Sequence, residues 1–135
     1  MPIADTEVLF ALNPKDPKHP HAIKTLQDLD NITVPDTSTL EFQIVLRGRG
    51  RSSAQVRNAL LALHEVLRRM EVGENRTISI TLLALQCELE ERHGLTYFDS
   101  LIAASALTLD GQVISDDRAF DKIPNLKRIP LSPST

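Results

Sequence analysis

Short runs of β-branched or small apolar residues alternate along the chain with longer stretches of helical periodicity, and that alternation leaves few folds open. Ile3-Ala4, Ile32-Thr33-Val34 and Gln112-Val113-Ile114-Ser115 read as strands. Arg128-Ile129-Pro130-Leu131 reads as an edge strand, where a proline is tolerated. Residues 77–80 suggest one more short strand. Helices are expected over residues 6–12, 20–29, 38–48 and 97–109, with a helical turn at 118–123. Leu82, Leu85 and Leu89 mark a further helix that stops at His93-Gly94. The most regular pattern is Val56, Leu60, Leu63, Leu67 and Met70, one apolar face of a long helix that ends at Val72-Gly73-Glu74-Asn75. Its simplest use is as core or as a dimer seam. Strands separated by helices pair in parallel through right-handed crossovers. The expected fold class is therefore α/β, a three-layer α/β/α sandwich with a central parallel sheet of four or five strands.

The 135 residues suit one domain, expected over 1–131, with 132–135 a flexible tail. Fifteen Lys and Arg against 18 Asp and Glu give a formal net charge of -3, which disfavours nucleic-acid binding by bulk positive charge. Aromatic residues make up 4%, with no Trp, so extensive base stacking is not expected. Cys87 is the sole cysteine, which excludes an internal disulfide framework and a Cys-rich zinc site; within its Leu-rich helix it reads as a small core residue. No apolar run approaches the roughly 18 residues of a membrane span, and the N-terminus meets Asp5 without a basic leader. The expected compartment is the cytoplasm, without membrane partners.

In parallel α/β sheets, ligands sit at the carboxyl ends of the strands. Acids gather in that kind of place here. Asp5 follows the first strand, Asp116 and Asp117 follow the strand at 112–115, Asp99 opens a helix, and Glu41 lies about one turn into another. Each has a local explanation. Ser38-Thr39-Leu40-Glu41 and Thr96-Tyr97-Phe98-Asp99 fit capping boxes, and Asp5, Asp116 and Asp117 fit helix N-caps. Taken together, they point elsewhere. Two carboxylates 4 Å apart repel by roughly 4 kcal/mol at an effective dielectric near 20, whereas one cap contributes about 1 kcal/mol. Acids that converge in this way need a cation, and Mg²⁺ or Mn²⁺ suits all-oxygen ligands. His19 and His21 lack the further His or Cys that a softer site needs.

The ordered set of motifs resembles the PIN-domain nucleases, and among them the VapC-like toxins of toxin–antitoxin pairs. Ile3-Ala4-Asp5-Thr6-Glu7-Val8-Leu9 is similar to the family's first acidic motif, and Leu40-Glu41 to its second. Leu95-Thr96-Tyr97-Phe98-Asp99-Ser100-Leu101-Ile102-Ala103-Ala104 is similar to the third. Val113-Ile114-Ser115-Asp116-Asp117-Arg118-Ala119-Phe120-Asp121 is similar to the fourth, with Asp117 in the acid position and Asp116 beside it. The resemblance implies metal-dependent endoribonuclease activity, a homodimer and an antitoxin partner. By it, Asp5, Asp99 and Asp117 are metal ligands, and Glu41 ligates or deprotonates the attacking water. Thr6 and Ser115 support the site through hydrogen bonds or act as simple caps. Asp116 is a supporting neighbour, and Asp36 and Asp121 supplement the acids, Asp121 one turn after Asp117 on the same face.

A polyanionic substrate also needs local positive charge. Arg47, Arg49 and Arg51 form the densest basic run, just beyond the Glu41 helix. That run reads either as a guide for the RNA backbone or as a solvated loop. Arg118 is a second candidate phosphate contact. The alternative function is a catalytically silent PIN-like module that binds RNA or protein, although such a module has no reason to keep the repulsion among its acids. A doubly wound metal phosphatase would call for a D-x-D motif after the first strand, and Asp5-Thr6-Glu7 does not supply one.

Overall fold

A computed structural model describes residues 1–132. The chain runs β1 (Ile3–Ala4), α1 (Thr6–Ala11), α2 (His19–Asp28), β2 (Thr33–Pro35), α3 (Asp36–Gly48), α4 (Ser53–Arg69) and β3 (Gly73–Asn75). It continues through α5 (Ile80–His93), α6 (Tyr97–Leu107), β4 (Gln112–Ile114), a 3-10 turn (Arg118–Lys122) and β5 (Lys127–Ile129). All five strands pair in parallel, in the order β3-β2-β1-β4-β5. β1 is thus central. Ile3 pairs with Thr33 on one side and Val113 on the other, and Ala4 pairs with Ile114.

Side chains alternate across a strand, and that alternation makes the three layers. Ala4, Val34 and Ile114 join one apolar cluster with Val8, Leu9, Leu26, Phe42, Leu63 and Leu67 from α1 to α4. Ile3 and Val113 join the other, with Leu82 and Leu89 of α5, Leu101 and Ile102 of α6, and Phe120. The expected α/β/α sandwich is the observed one. The periodic stripe of α4 faces the first cluster: Val56, Leu63 and Leu67 are buried, and Leu60 and Met70 pack against its edge.

Several expectations are corrected. Residues 77–79 form no strand. The Thr77 amide and hydroxyl donate to Asp36 Oδ1 at 3.0 and 2.7 Å, and Ser79 caps α5 by accepting from Leu82 N at 3.1 Å. The strand of this region is Gly73–Asn75, which carries no apolar run to announce it. α3 starts at Asp36, so Ser38 lies inside the helix and cannot cap it. Instead, the buried Ser38 hydroxyl donates to Ala4 O at 2.7 Å. Cys87 is exposed; Leu82, Gln86 and Leu89 are the residues that α5 buries. α6 ends at Leu107, two residues earlier than expected, and Gly111 turns the chain into β4 with φ +76. A Cβ at Gly111 would stand 2.6 Å from the Asn125 carbonyl oxygen, so glycine is required there. Ser132 of the expected tail is held by Asp116, and residues 133–135 lie outside those described. Among the described residues, no helix is long and apolar enough to cross a membrane.

Candidate functional site

The carboxyl end of β1 delivers Asp5 to the edge of the sheet. Its N–H continues the ladder to Ile114 O at 3.1 Å, and its side chain caps α1 by accepting from Thr6 N at 2.7 Å. The second carboxyl oxygen accepts from Ser115 Oγ at 2.6 Å. Asp5 is only 6% exposed. Burial pushes its carboxyl up to about 7 against the pull of the Ser115 and Thr6 hydrogen bonds, and the nearby charges of Glu7 and Asp99 add to the rise.

α3 is fastened to this corner by two bonds one turn apart. Ser38 holds the carbonyl of Ala4, and Glu41 Oε1 accepts from the Thr6 hydroxyl. The capping box expected at Ser38 and Glu41 has therefore given way to tertiary contacts made by the same two side chains. α6 brings in Asp99. Thr96 caps that helix by accepting from Asp99 N at 3.3 Å, which is one half of the expected capping box; the return bond from Thr96 N to the Asp99 carboxyl does not form. The Asp99 carboxyl is pushed up to about 6, first by burial and then by the charge of Asp117, with Glu41 contributing as well. Asp117 caps the 3-10 turn by accepting from Ala119 N at 2.9 Å.

Ser115 is the hub. Its buried hydroxyl donates toward Asp5, with Glu7 Oε1 a more distant acceptor at 3.2 Å, and it accepts from Asp117 N at 2.9 Å. Asp5, Glu41, Asp99 and Asp117 thus influence one another across four separate elements. Among the described residues, no Lys, Arg or His forms an ion pair with any of the four. The donors are all hard oxygens, which fits Mg²⁺ or Mn²⁺ and not a softer ion. The set is not drawn together in advance: among the described residues, no three His, Cys, Asp or Glu side chains are grouped so as to hold one ion as they stand.

The other expected residues take different places. Asp116 turns away from the four. Its Oδ1 accepts from Leu131 N at 2.8 Å and Ser132 N at 3.1 Å, and its Oδ2 from Ser132 Oγ at 2.7 Å and Lys18 Nζ at 2.8 Å. Burial opposes its ionisation, but Lys18, Ser132 and Leu131 outweigh it and hold this carboxyl well below the usual range. Asp121 pairs both oxygens with the Arg128 guanidinium, whose Nη1 also donates to Ser115 O at 3.2 Å. Arg47, Arg49, Arg51 and Arg118 are exposed. Arg49 lies 4.8 Å above the Phe10 ring, and Arg47 donates to Ser53 Oγ at 3.4 Å. The His19 ring meets Ala11 O at 2.9 Å, a local structural use.

Sequence reading missed two residues. Glu7 Oε1 accepts from the Asp116 N–H, and Lys18 reaches both Glu7 and Asp116. The charge of Lys18 is visible in the sequence, but of the two partners that fix it, Asp116 lies 98 residues along the chain and only Glu7 is near.

A family model described as PIN domain matches residues 3–126. Comparison with curated proteins finds no match. Among solved structures, a chain of a toxin-antitoxin complex from Klebsiella pneumoniae is similar over 98% of this chain and 98% of its own, with a TM-score of 0.70 at 16% identity. VapBC2 from Rickettsia felis, bound to a DNA fragment from its promoter, is similar over 95% and 96%, with a TM-score of 0.67 at 20% identity. FitAcB from Neisseria gonorrhoeae is similar over 97% and 98%, with a TM-score of 0.64 at 16% identity. At these identities the likeness is one of fold.

Proposed function

The chain belongs to the PIN domain family, and from that premise we propose that it is a Mg²⁺- or Mn²⁺-dependent endoribonuclease, the toxin of a toxin–antitoxin pair. PIN-domain toxins are generally nucleases, and PIN-domain nucleases generally use divalent ions. The observation that carries the reading is that four elements bring Asp5, Glu41, Asp99 and Asp117 to one end of the sheet, with Asp5 only 6% exposed and no side-chain cation of the described residues paired to any of the four; burial and neighbouring acids push Asp5 and Asp99 up accordingly. The neighbouring structures come from toxin–antitoxin complexes, which supports an antitoxin partner. A homodimer and a cytoplasmic location belong to the same proposal, as does a single domain over 1–131.

The division of labour follows from the contacts. Asp5, Asp99 and Asp117 are the ligands. Ser115 orients the Asp5 carboxylate through the 2.6 Å bond and fixes the backbone of Asp117 through the 2.9 Å bond. Thr6 orients Glu41, which is left with one carboxyl oxygen free of Thr6 to take a proton from the attacking water. A hard divalent ion, when bound, supplies charge stabilisation at the phosphoryl oxygens and acidifies water. Asp116 supports the site from outside by anchoring the chain end, and Asp121 does so through Arg128. The test is cleavage of end-labelled single-stranded RNA. Cleavage is expected with Mg²⁺ or Mn²⁺ and none with a chelator. No cleavage together with no Mn²⁺ binding would leave the catalytically silent module.

Arg47, Arg49, Arg51 and Arg118 are proposed to meet the RNA backbone. Each phosphate contact on a single strand contributes about 0.7 to the slope of log K against log salt. Arg47→Gln with Arg51→Gln, measured in an Asp99→Asn background so that the RNA stays whole, is expected to lower that slope by about 1.4 if both meet phosphate. An unchanged slope would return the basic run to a solvated loop. Arg49 is left intact in this test because its place over Phe10 makes it part of the packing.

A further inference from the structure

The connection between α1 and α2 is built to present one cation to the rim of the acid group. Asn13-Pro14-Lys15 and Asp16-Pro17-Lys18 repeat an Asx-Pro-Lys pattern. In each, the Asx side-chain oxygen accepts the backbone N–H two residues on, from Lys15 at 3.0 Å and from Lys18 at 2.8 Å. Backbone bonds from Asp16 N to Asn13 O at 2.9 Å and from His19 N to Asp16 O at 3.0 Å close the same turns. Lys18 stands at the cap position of α2, with its carbonyl held by Ala22 N at 2.9 Å. From that fixed base its ammonium reaches Asp116 Oδ2 at 2.8 Å and Glu7 Oε2 at 3.5 Å.

Six carboxylates therefore crowd this end of the sheet, but they are not equivalent. Glu7 and Asp116 share Lys18, and both also receive backbone N–H bonds. Asp5, Glu41 and Asp117 receive hydroxyl and backbone bonds, and among the described residues no cation pairs with these three or with Asp99. We propose that Lys18 is a positioning residue, a built-in cation that holds Glu7 and Asp116 out of the ligand set and so confines a divalent ion to the other four acids. The inference rests on the metal-dependent reading above and says which acids that reading excludes. An ammonium and a divalent ion cannot occupy the same gap between two carboxylates, because the cations repel. With the ammonium gone, Glu7 and Asp116 become a pair of hard oxygen donors without a counter-charge, an environment that attracts Mn²⁺. Lys18 acts on the hub as well. Glu7, whose Oε2 faces Lys18 at 3.5 Å, meets the Ser115 hydroxyl through Oε1 at 3.2 Å, and the same hydroxyl holds Asp5 at 2.6 Å.

The experiment is calorimetric titration of Mn²⁺ into the metal-free full chain. Lys18→Met is expected to take up an additional Mn²⁺ per chain relative to wild type. Lys18→Arg, which keeps the charge, is expected to match wild type. Lys18→Met combined with Asp116→Asn is expected to lose the additional ion. Equal uptake by wild type and Lys18→Met overturns the proposal, and so does an additional ion that survives without Asp116. The Lys18 side chain is 38% exposed, so its replacement leaves the core intact. Lys18→Gln carries no charge and gives the same comparison if the Met variant does not fold. Asp99→Asn, titrated alongside, separates the two readings. Wild-type uptake that ignores Asp99 counts against the nuclease site, while the difference between wild type and Lys18→Met still decides the role of Lys18.

Discussion

Asp99→Asn is expected to lower metal-dependent RNA cleavage by roughly 100- to 1000-fold, the range seen when one preorganised electrostatic partner is removed from a reaction centre. It is also expected to abolish the Asp99-dependent part of Mn²⁺ binding. The substitution changes one oxygen to an amide and nothing else in the helix. Thr96 caps α6 through the backbone N–H of residue 99, a bond that does not depend on the side chain. Loss of fold is therefore not the expected cause of lost activity. The metal-free variant should in fact be at least as stable as wild type near neutral pH. Burial, Asp117 and Glu41 all disfavour a charge at this position, and the amide carries none. Cleavage and thermal unfolding measured on the same preparations make the check. Equal cleavage by the two proteins would remove Asp99 from the site. Lost cleavage with lost stability would indicate a structural role instead.

Much of this arrangement was legible because strand and acid are neighbours in the chain. Ile3-Ala4 names a strand end, and Asp5 is the next residue. Val113-Ile114 leads to Ser115 and Asp117 in the same way. The strand-end rule then places these acids on one edge without knowledge of any tertiary contact. Glu41 was harder, because Ser38-Thr39-Leu40-Glu41 fits a local capping box as well as it fits a site. A helix start at Asp36 instead of Ser38 decides between them, since it frees both side chains to bond β1 and α1. β3 was illegible for a different reason. Gly73-Glu74-Asn75 is a polar strand at the edge of the sheet, paired with β2, so it buries no apolar face that a pattern could reveal. Asp116 and Asp117 look alike in sequence. They part only where Lys18, Leu131 and Ser132 converge on Asp116, through contacts 15 to 98 residues apart. A site made of side chains that follow strands can be read early; the counter-ions that sort those side chains cannot.

Metal-free protein is expected to lose stability as the pH rises from about 4 to about 7, and Asp5→Asn is expected to abolish most of that loss. The unfolded chain titrates Asp near 3.9. In the folded chain, burial moves Asp5 up to about 7. A carboxyl with a raised folded value binds its proton more tightly when folded, so its contribution is fully present below the unfolded value and is lost as the pH climbs through the folded one. A rise of about three units corresponds to roughly 4 kcal/mol at pH 8. Asp99, raised to about 6, acts with the same sign over a lower window. In the variant, the Asn oxygen keeps the Thr6 N–H, and its NH₂ can donate to Ser115 Oγ, which then turns its own proton to Glu7. The gap in unfolding free energy between Asp5→Asn and wild type, measured in a chelator, should widen by about 3 kcal/mol or somewhat more between pH 4 and pH 8. Saturating Mn²⁺ should narrow it from the wild-type side, because an ion that binds only the folded chain adds about 2.7 kcal/mol at a hundred times its dissociation constant. Parallel pH profiles for the two proteins would mean that Asp5 carries no such strain. The case for a cation at this corner of the sheet would then lose its main support.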